Sequence, residues 1–96
     1  MRLSAAESAA IREQILALDP GASIYLYGSR TDPNARGGDI DLLVISDKLS
    51  FHDKISLLVA IKDRIGDQRI DLMIKGVEHA KADPFAQSIL GTAIEI

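Results

Sequence analysis

Residues 26–44 read Leu-Tyr-Gly-Ser-Arg-Thr-Asp-Pro-Asn-Ala-Arg-Gly-Gly-Asp-Ile-Asp-Leu-Leu-Val and join two short apolar segments through a polar loop. Residues 23–27 are β-branched and aromatic and run up to Gly28, so they are predicted to form a strand. Residues 39–45 are predicted to form a second strand. The link between the two is too short for a parallel crossover, so we expect the strands to be antiparallel.

Two carboxylates stand on the second predicted strand, at Asp39 and Asp41. Residues two apart on a strand point to the same face, opposite to Ile40 here. Two like charges about 4 Å apart repel by about 4 kcal/mol at an effective dielectric constant near 20. A hard divalent cation would compensate this repulsion, since such ions prefer carboxylate oxygens. A solvated strand face is the alternative, and the Asp-x-Asp pattern alone does not decide between them.

A third carboxylate, Asp71, lies at the centre of another predicted strand, residues 69–74. A helix from Ser50 to Ile65 is predicted between the two strands, which makes a parallel crossover that places them side by side. Since Asp71 alternates with its apolar neighbours, we expect three carboxylates to converge on one patch. Such a patch is typical of a two-metal site.

The remaining chain predicts helices around these strands. Ser4 and Glu7 have the spacing of a capping box, so a helix over 4–18 is expected. A further helix begins near Val77, is interrupted at Asp83-Pro84, and precedes a short final strand within 92–96.

The apolar faces of the later helices and the overall fold follow from these predictions. We expect the helix that begins at Ser50 to bury Ile55, Leu58, Val59 and Ile61, and the last helix to bury Phe85, Ile89 and Leu90. The predicted fold class is α+β, a single domain over residues 1–96 with helices packed on a small mixed sheet.

The composition of the chain excludes several kinds of site and association. The chain has 96 residues, a net charge of −3 and no cysteine, which excludes disulfides, thiolate zinc sites and a cysteine nucleophile. No basic field favours direct nucleic-acid binding. The longest apolar run, Leu57–Ile61, is far too short to span a membrane, so no membrane association is expected. With no targeting segment apparent, we expect a soluble cytoplasmic protein.

Gly28 and Ser29 follow the first predicted strand directly. Glycine allows a sharp turn and a close approach, and a serine hydroxyl with the next N–H groups can hold phosphate oxygens. An ordinary turn is the alternative for these two residues alone. Arg30 and Arg36 are the local cations that an acidic protein needs to bind a polyanion, although Arg36 is equally well explained as a solvated side chain.

Gly28-Ser29 followed by Asp39-x-Asp41 in an apolar strand resembles the signature of the DNA polymerase β-like nucleotidyltransferase superfamily. Within it, the chain is most similar to the minimal nucleotidyltransferase (MNT) group, and the similarity covers nearly the whole sequence. Members of that group often continue Gly-Ser-Arg with a small residue, Arg and Gly, whereas here Thr31 follows Arg30. Arg36 is expected to supply the second basic contact instead.

The resemblance implies a role for each residue. Gly28 and Ser29 hold the β- and γ-phosphates of ATP or another NTP, with Arg30 and Arg36 beside them. Asp39, Asp41 and Asp71 are the catalytic residues and ligate two Mg²⁺ ions, and Asp71 also helps to deprotonate the acceptor hydroxyl. The implied reaction transfers a nucleoside monophosphate, AMP from ATP in the first instance, to that hydroxyl.

The resemblance also implies a protein partner. In the MNT group this is a HEPN-like helical protein, and the two act as antitoxin and toxin; self-association into a homo-oligomer is the other possibility. Two further accounts stay open, namely a nucleotide-binding and partner-binding module with little catalysis, and a structural Ca²⁺ or Mg²⁺ site without nucleotide.

Overall fold

The computed structural model describes residues 3–28 and 39–96. Its helices and strands follow one another along the chain as α1 (Ala5–Leu18), β1 (Ser23–Tyr27), β2 (Ile40–Ile45), α2 (Phe51–Ile65), β3 (Ile70–Lys75), α3 (Val77–Ala82), α4 (Pro84–Leu90) and β4 (Ile94–Glu95). This order confirms the predicted one. The second and third strands each begin one residue later than predicted.

Two helices, α1 and α2, begin with a capping box. Ser4 Oγ accepts a hydrogen bond from the Glu7 N–H at 3.0 Å, and Glu7 Oε1 accepts one from the Ser4 N–H at 2.9 Å. Ser50 and Asp53 form the same capping box at the start of α2. Both helix starts were predicted, but the capping box was predicted only at Ser4 and the part of Asp53 in the second one was not.

The strands form one mixed sheet in the order β3-β2-β1-β4. β1 pairs antiparallel with β2 and with β4, whereas β2 and β3 are parallel. The predicted pairing of β1 with β2 and the predicted crossover through α2 are therefore confirmed.

Helices cover both faces of this sheet. On one face α1 and α2 pack on a large apolar cluster made of Ile11, Ile15, Ile24, Leu26, Ile40, Leu42, Val44, Leu57, Ile61, Ile70 and Leu72. On the other face a smaller cluster joins Leu43 of β2 to Ala80 of α3 and to Ala86 and Ile89 of α4. Leu43 follows Asp41 by two residues, so the carboxylate lies on the face with the smaller cluster.

The predicted apolar faces of two helices were partly wrong. In α2, Leu57 and Ile61 are buried, while Ile55 and Val59 are 48% and 59% exposed. Phe85, expected in the core, is 54% exposed, and the neighbouring Ala86 is buried in its place. A helix with apolar residues around much of its surface can bury only the sector that faces the sheet, and the pattern alone did not show which sector.

A buried polar pair that the sequence did not indicate joins the end of α1 to the end of β2. Ser46 Oγ donates a hydrogen bond to Asp19 Oδ2 at 2.6 Å. This bond, more than the bond from the Gly21 N–H, holds the pKa of Asp19 below its usual value despite the opposing effect of burial. Ser46 Oγ also accepts from the N–H groups of Lys48 and Leu49, so the pair fixes the turn that leads into α2.

Candidate functional site

Three polar side chains form a row across β1, β2 and β3. Tyr27 is the register partner of Asp41 in the antiparallel pair, and Asp41 is the register partner of Asp71 in the parallel pair. Directly opposite residues in a sheet point to the same face with their Cβ atoms about 4.5–5.5 Å apart. We call Tyr27, Asp41 and Asp71 the acidic row. It lies at the end of the sheet where β1 finishes.

The carboxylates of this row affect each other electrostatically. The pKa of Asp41 is raised above its usual value, first by burial and then by the negative charges of Asp71 and Asp39. Asp41 is half-buried and Asp71 is exposed. The fold therefore holds negative charges together at a cost in free energy, and a bound cation would remove that cost.

Asp39 lies directly before β2, at the edge of the acidic row. Its Oδ2 atom is 3.9 Å from Nη1 of Arg69, which precedes β3. The side chains are 47% and 81% exposed, so solvent screens the pair and its contribution to stability is small. The backbone fixes the two residues more firmly, because the Ile40 N–H donates to the Arg69 carbonyl at 3.0 Å.

Tyr27 is a member of the row that sequence reasoning missed. Burial raises the pKa of its hydroxyl, and the charges of Asp41 and Asp71 raise it further. The phenol therefore stays protonated and can donate a hydrogen bond. The signal that points to it is the β1–β2 register, which the strand boundaries alone do not fix.

Gly28 brings the backbone beyond β1 against the row. Its φ angle is +77°, in the region that residues with a side chain seldom adopt. A Cβ atom there would overlap Asp41 Oδ2 and would lie 3.2 Å from Asp41 Cγ. Glycine is thus required both by the turn and by the closeness of the Asp41 carboxylate, whereas the predicted close approach of a phosphate stays a prediction.

The other predicted phosphate contacts, Ser29, Arg30 and Arg36, lie outside the described residues. Their roles stay predictions. The structure does show Gly28, the residue before Ser29, which directly follows β1 and contacts Asp41 of the acidic row.

The fit of the acidic row to metal ions is incomplete. Its carboxylates are the donors that Mg²⁺ prefers. However, within 3–28 and 39–96 no group of three His, Cys, Asp or Glu side chains is arranged so that it can hold a metal ion. The Asp39 carboxylate lies toward Arg69, 3.9 Å from its Nη1 atom. The predicted two-metal geometry therefore stays a prediction.

Comparison with known proteins identifies a family. A family model described as Polymerase beta, Nucleotidyltransferase matches residues 13–96, which include β1, the acidic row and everything that follows it. No curated protein matches the chain. In the part of the chain that the structure describes, no helix has both the length and the apolar character needed to cross a membrane.

Proposed function

The chain belongs to the polymerase beta nucleotidyltransferase family, and we propose that its nucleotidyl transfer moves AMP from ATP to a hydroxyl group at the acidic row. The observation that carries this proposal is the register of Asp41 and Asp71, with Gly28 against Asp41. The two carboxylates lie on adjacent strands and can bind cations. Gly28 follows the third strand, β1, and its backbone lies where a phosphate chain could bind beside them.

Gly28, Ser29, Arg30 and Arg36 hold the triphosphate in this proposal. Gly28 contacts Asp41 and directly precedes Ser29, so a triphosphate held at this point of the chain would lie beside the acidic row. The two arginines supply positive charge in a chain whose net charge is −3. Arg69, 81% exposed and near Asp39, adds another cation at the rim.

Asp39, Asp41 and Asp71 would hold two Mg²⁺ ions, which supply charge neutralisation at the attacking and leaving oxygens when bound. Burial, and then the charges of Asp71 and Asp39, raise the pKa of Asp41, and bound cations would offset this cost of ionisation, which supports the assignment. Tyr27 closes one end of the row and can hydrogen-bond a carboxylate or a phosphate oxygen.

The proposed reaction is an in-line displacement at the α-phosphorus of ATP. The acceptor hydroxyl gives its proton to Asp71, and its oxygen forms a bond to the α-phosphorus. The bond from that phosphorus to the bridging oxygen of the β-phosphate breaks, and pyrophosphate leaves with the electron pair. The exposure of Asp71 lets an acceptor reach it from solvent.

We place the acceptor on a HEPN-type helical protein, as the resemblance to the MNT group implies, with this chain as the antitoxin of the pair. The acidic overall charge supports a protein acceptor over a nucleic acid, since no basic field would attract a polyanionic acceptor. The exposed position of the row suits an acceptor carried on a large molecule.

A binding module with little catalysis is the competing account. One observation favours it: within the described ranges, no three candidate ligands are positioned to hold a metal ion. Such a module would bind ATP at Gly28 and would contact a partner without transferring AMP.

Label transfer separates the two accounts. The chain is incubated with Mg²⁺, a cell lysate as the source of acceptors, and ATP labelled at either the α- or the γ-phosphate. We expect label to become covalently attached only from α-labelled ATP, to be lost in Asp41→Asn, and to persist in Asp63→Asn, an exposed carboxylate on α2. Binding of ATP without transfer would favour the module, and transfer from γ-labelled ATP would show a different reaction.

A further inference from the structure

The two edges of the sheet differ. One edge strand, β4, has only two residues, whereas the other, β3, has six. Arg69 and Lys75 accept hydrogen bonds through their carbonyl groups from the N–H groups of β2 residue Ile40 and of Ser46, at 3.0 and 2.9 Å. In a parallel pair such bonds recur at every second residue, so the odd-numbered residues of β3 face β2.

The backbone groups of Ile70, Leu72 and Ile74 therefore point away from the sheet. Among the described residues, none pairs with them. An unpaired strand edge of this length is a template for another strand, and proteins usually shorten or cover such edges.

An apolar surface of α2 adjoins this edge. Phe51 and Ile55 are 76% and 48% exposed. Phe51 and Lys54 line a cavity of about 280 Å³ together with Met73–Lys75, so the surface of α2 is continuous with the end of β3. This cavity is at the opposite end of β3 from Asp71.

The same surface faces away from α1. The opposite side of α2, at Ser56 and Ala60, lines a second cavity with Gln14 and Ala17 of α1. Phe51 and Ile55 are one helical turn apart and lie on the side that α1 leaves uncovered. We call β3 together with Phe51 and Ile55 the edge surface.

We propose that the edge surface binds a second copy of this chain, with β3 pairing antiparallel to the partner's β3 about a two-fold axis. An isologous interface of this kind uses one surface twice and closes at a dimer. An axis perpendicular to the sheet leaves α2 and its copy on the same face, so the apolar side chains of the two helices meet beside the paired strands.

The charged side chains favour one register of the two β3 strands. Hydrogen bonds between the strands form only if residues with outward-pointing backbone groups lie opposite each other, which leaves three registers around the centre of β3. With Leu72 opposite its own copy, Arg69 faces the partner's Lys75. With Asp71 opposite its own copy, two carboxylates face each other. Like charges directly opposite each other are destabilising.

The third register places Met73 opposite the partner's Met73. Asp71 then faces the partner's Lys75, and the opposite charges attract twice, once on each side of the axis. Lys75 already binds Asp83 Oδ2 at 3.1 Å, and an ammonium group has three donors, so it can keep this contact. In this arrangement the partner contributes a cation to the end of the acidic row.

Sedimentation velocity over a concentration series tests the association. We expect a monomer–dimer equilibrium with a dissociation constant of about 1–100 μM, as for a small interface. Phe51→Asp should raise that constant by about tenfold or more, since it places a charge in the apolar part of the interface. Because Phe51 is 76% exposed, the monomer should fold normally. A chain that sediments as a monomer throughout that range overturns the proposal.

A disulfide tests the register, and the chain has no cysteine of its own. Met73 and its copy form a pair without mutual hydrogen bonds, with Cα atoms about 4.5 Å apart, inside the disulfide range of about 4.4–6.8 Å. Met73→Cys should therefore form an interchain disulfide on oxidation, and adding Phe51→Asp should slow it. Ala17→Cys, at an exposed position on α1 beyond the side of α2 that faces away from the edge surface, is the control.

Sedimentation and disulfide formation are both measured without nucleotide, so their results do not depend on whether the proposed AMP transfer occurs. Rapid linkage of Met73→Cys and slow linkage of Ala17→Cys support the assigned register. Equal rates for both variants, or a dimer in which Met73→Cys does not link, would overturn it.

Discussion

A Cβ atom on Gly28 would overlap Oδ2 of Asp41. The end of β1 and the carboxylate of β2 are thus in contact at a point where only glycine fits. The φ angle of +77° adds a second, independent reason for glycine at this position. This contact places the backbone after β1 directly beside the acidic row.

Gly28→Ala should therefore destabilise the protein and impair nucleotide binding together. The positive φ angle alone costs about 1–2 kcal/mol for a residue with a Cβ atom, and Asp41 must move as well. Urea denaturation measures the first effect and calorimetric titration with ATP the second. Gly66→Ala is the control, since Gly66 also has a positive φ angle but a Cβ there meets nothing within 4 Å. ATP binding left intact in Gly28→Ala would contradict the role of this contact.

Asp41→Asn should abolish transfer yet stabilise the metal-free fold at neutral pH. Because the folded protein raises the pKa of Asp41, ionisation of this group opposes folding. The wild-type protein should lose this part of its stability as pH rises through the raised pKa. The variant should be more stable at about pH 7 by up to about 1 kcal/mol, as for a solvent-screened charge interaction.

The advantage of Asp41→Asn should vanish below the ordinary pKa of 3.8, where the wild-type carboxyl is protonated in both states. Urea denaturation at several pH values without divalent ions measures the difference. A clear loss of stability at neutral pH would show instead that the Asp41 carboxylate supports the fold.

Ser29→Ala should weaken the binding of ATP more than the binding of Mg²⁺. In the proposed site the hydroxyl contacts phosphate oxygens, whereas the carboxylates hold the cations. Titration with Mg²⁺ alone and with ATP in excess Mg²⁺ measures the two affinities in the same variant. Equal loss of both would count against a phosphate contact and favour a general disturbance of the loop.

Asp83→Asn should destabilise the protein at neutral pH through the loss of one charge. The bond from Lys75 and then the Phe85 N–H hold the pKa of Asp83 below 3.8. The stability that ionised Asp83 contributes is therefore fully present above pH 3.8 and is lost as pH falls through the lowered pKa. Asparagine can still cap α4, so the variant tests charge alone.

The test of Asp83→Asn compares urea denaturation at about pH 7 and at a series of lower pH values that carries the carboxyl through its lowered pKa. We expect the two proteins to differ at neutral pH and to converge in acid. A difference of the same size at every pH would mean that the substitution changes the cap geometry and not the ion pair of Asp83 with Lys75.

Most of the fold could be predicted from residues that are close together in the sequence. The capping box at Ser4 depends on residues three apart, the start of α2 on the cap at Ser50, and the stop at Asp83-Pro84 on one proline. The antiparallel pairing of β1 with β2 followed from the length of their link. Each of these could be predicted because the physical cause lies within a few residues.

Features set by distant parts of the chain were not predictable in the same way. Which sector of α2 is buried depends on where the sheet lies, so Ile55 was wrongly placed in the core. Tyr27 belongs to the acidic row only because of the β1–β2 register. The bond from Ser46 to Asp19 joins two elements that no pattern connects.

The most direct test of the proposed site is calorimetric titration of the protein with ATP, with and without Mg²⁺, beside an Asp39→Asn/Asp41→Asn double variant. We predict binding that requires both Mg²⁺ and the two aspartates, because the cations link the carboxylates to the triphosphate. ATP binding that is unchanged in the double variant, or no binding by the wild-type protein with Mg²⁺, would contradict the assignment of the acidic row as the nucleotide site.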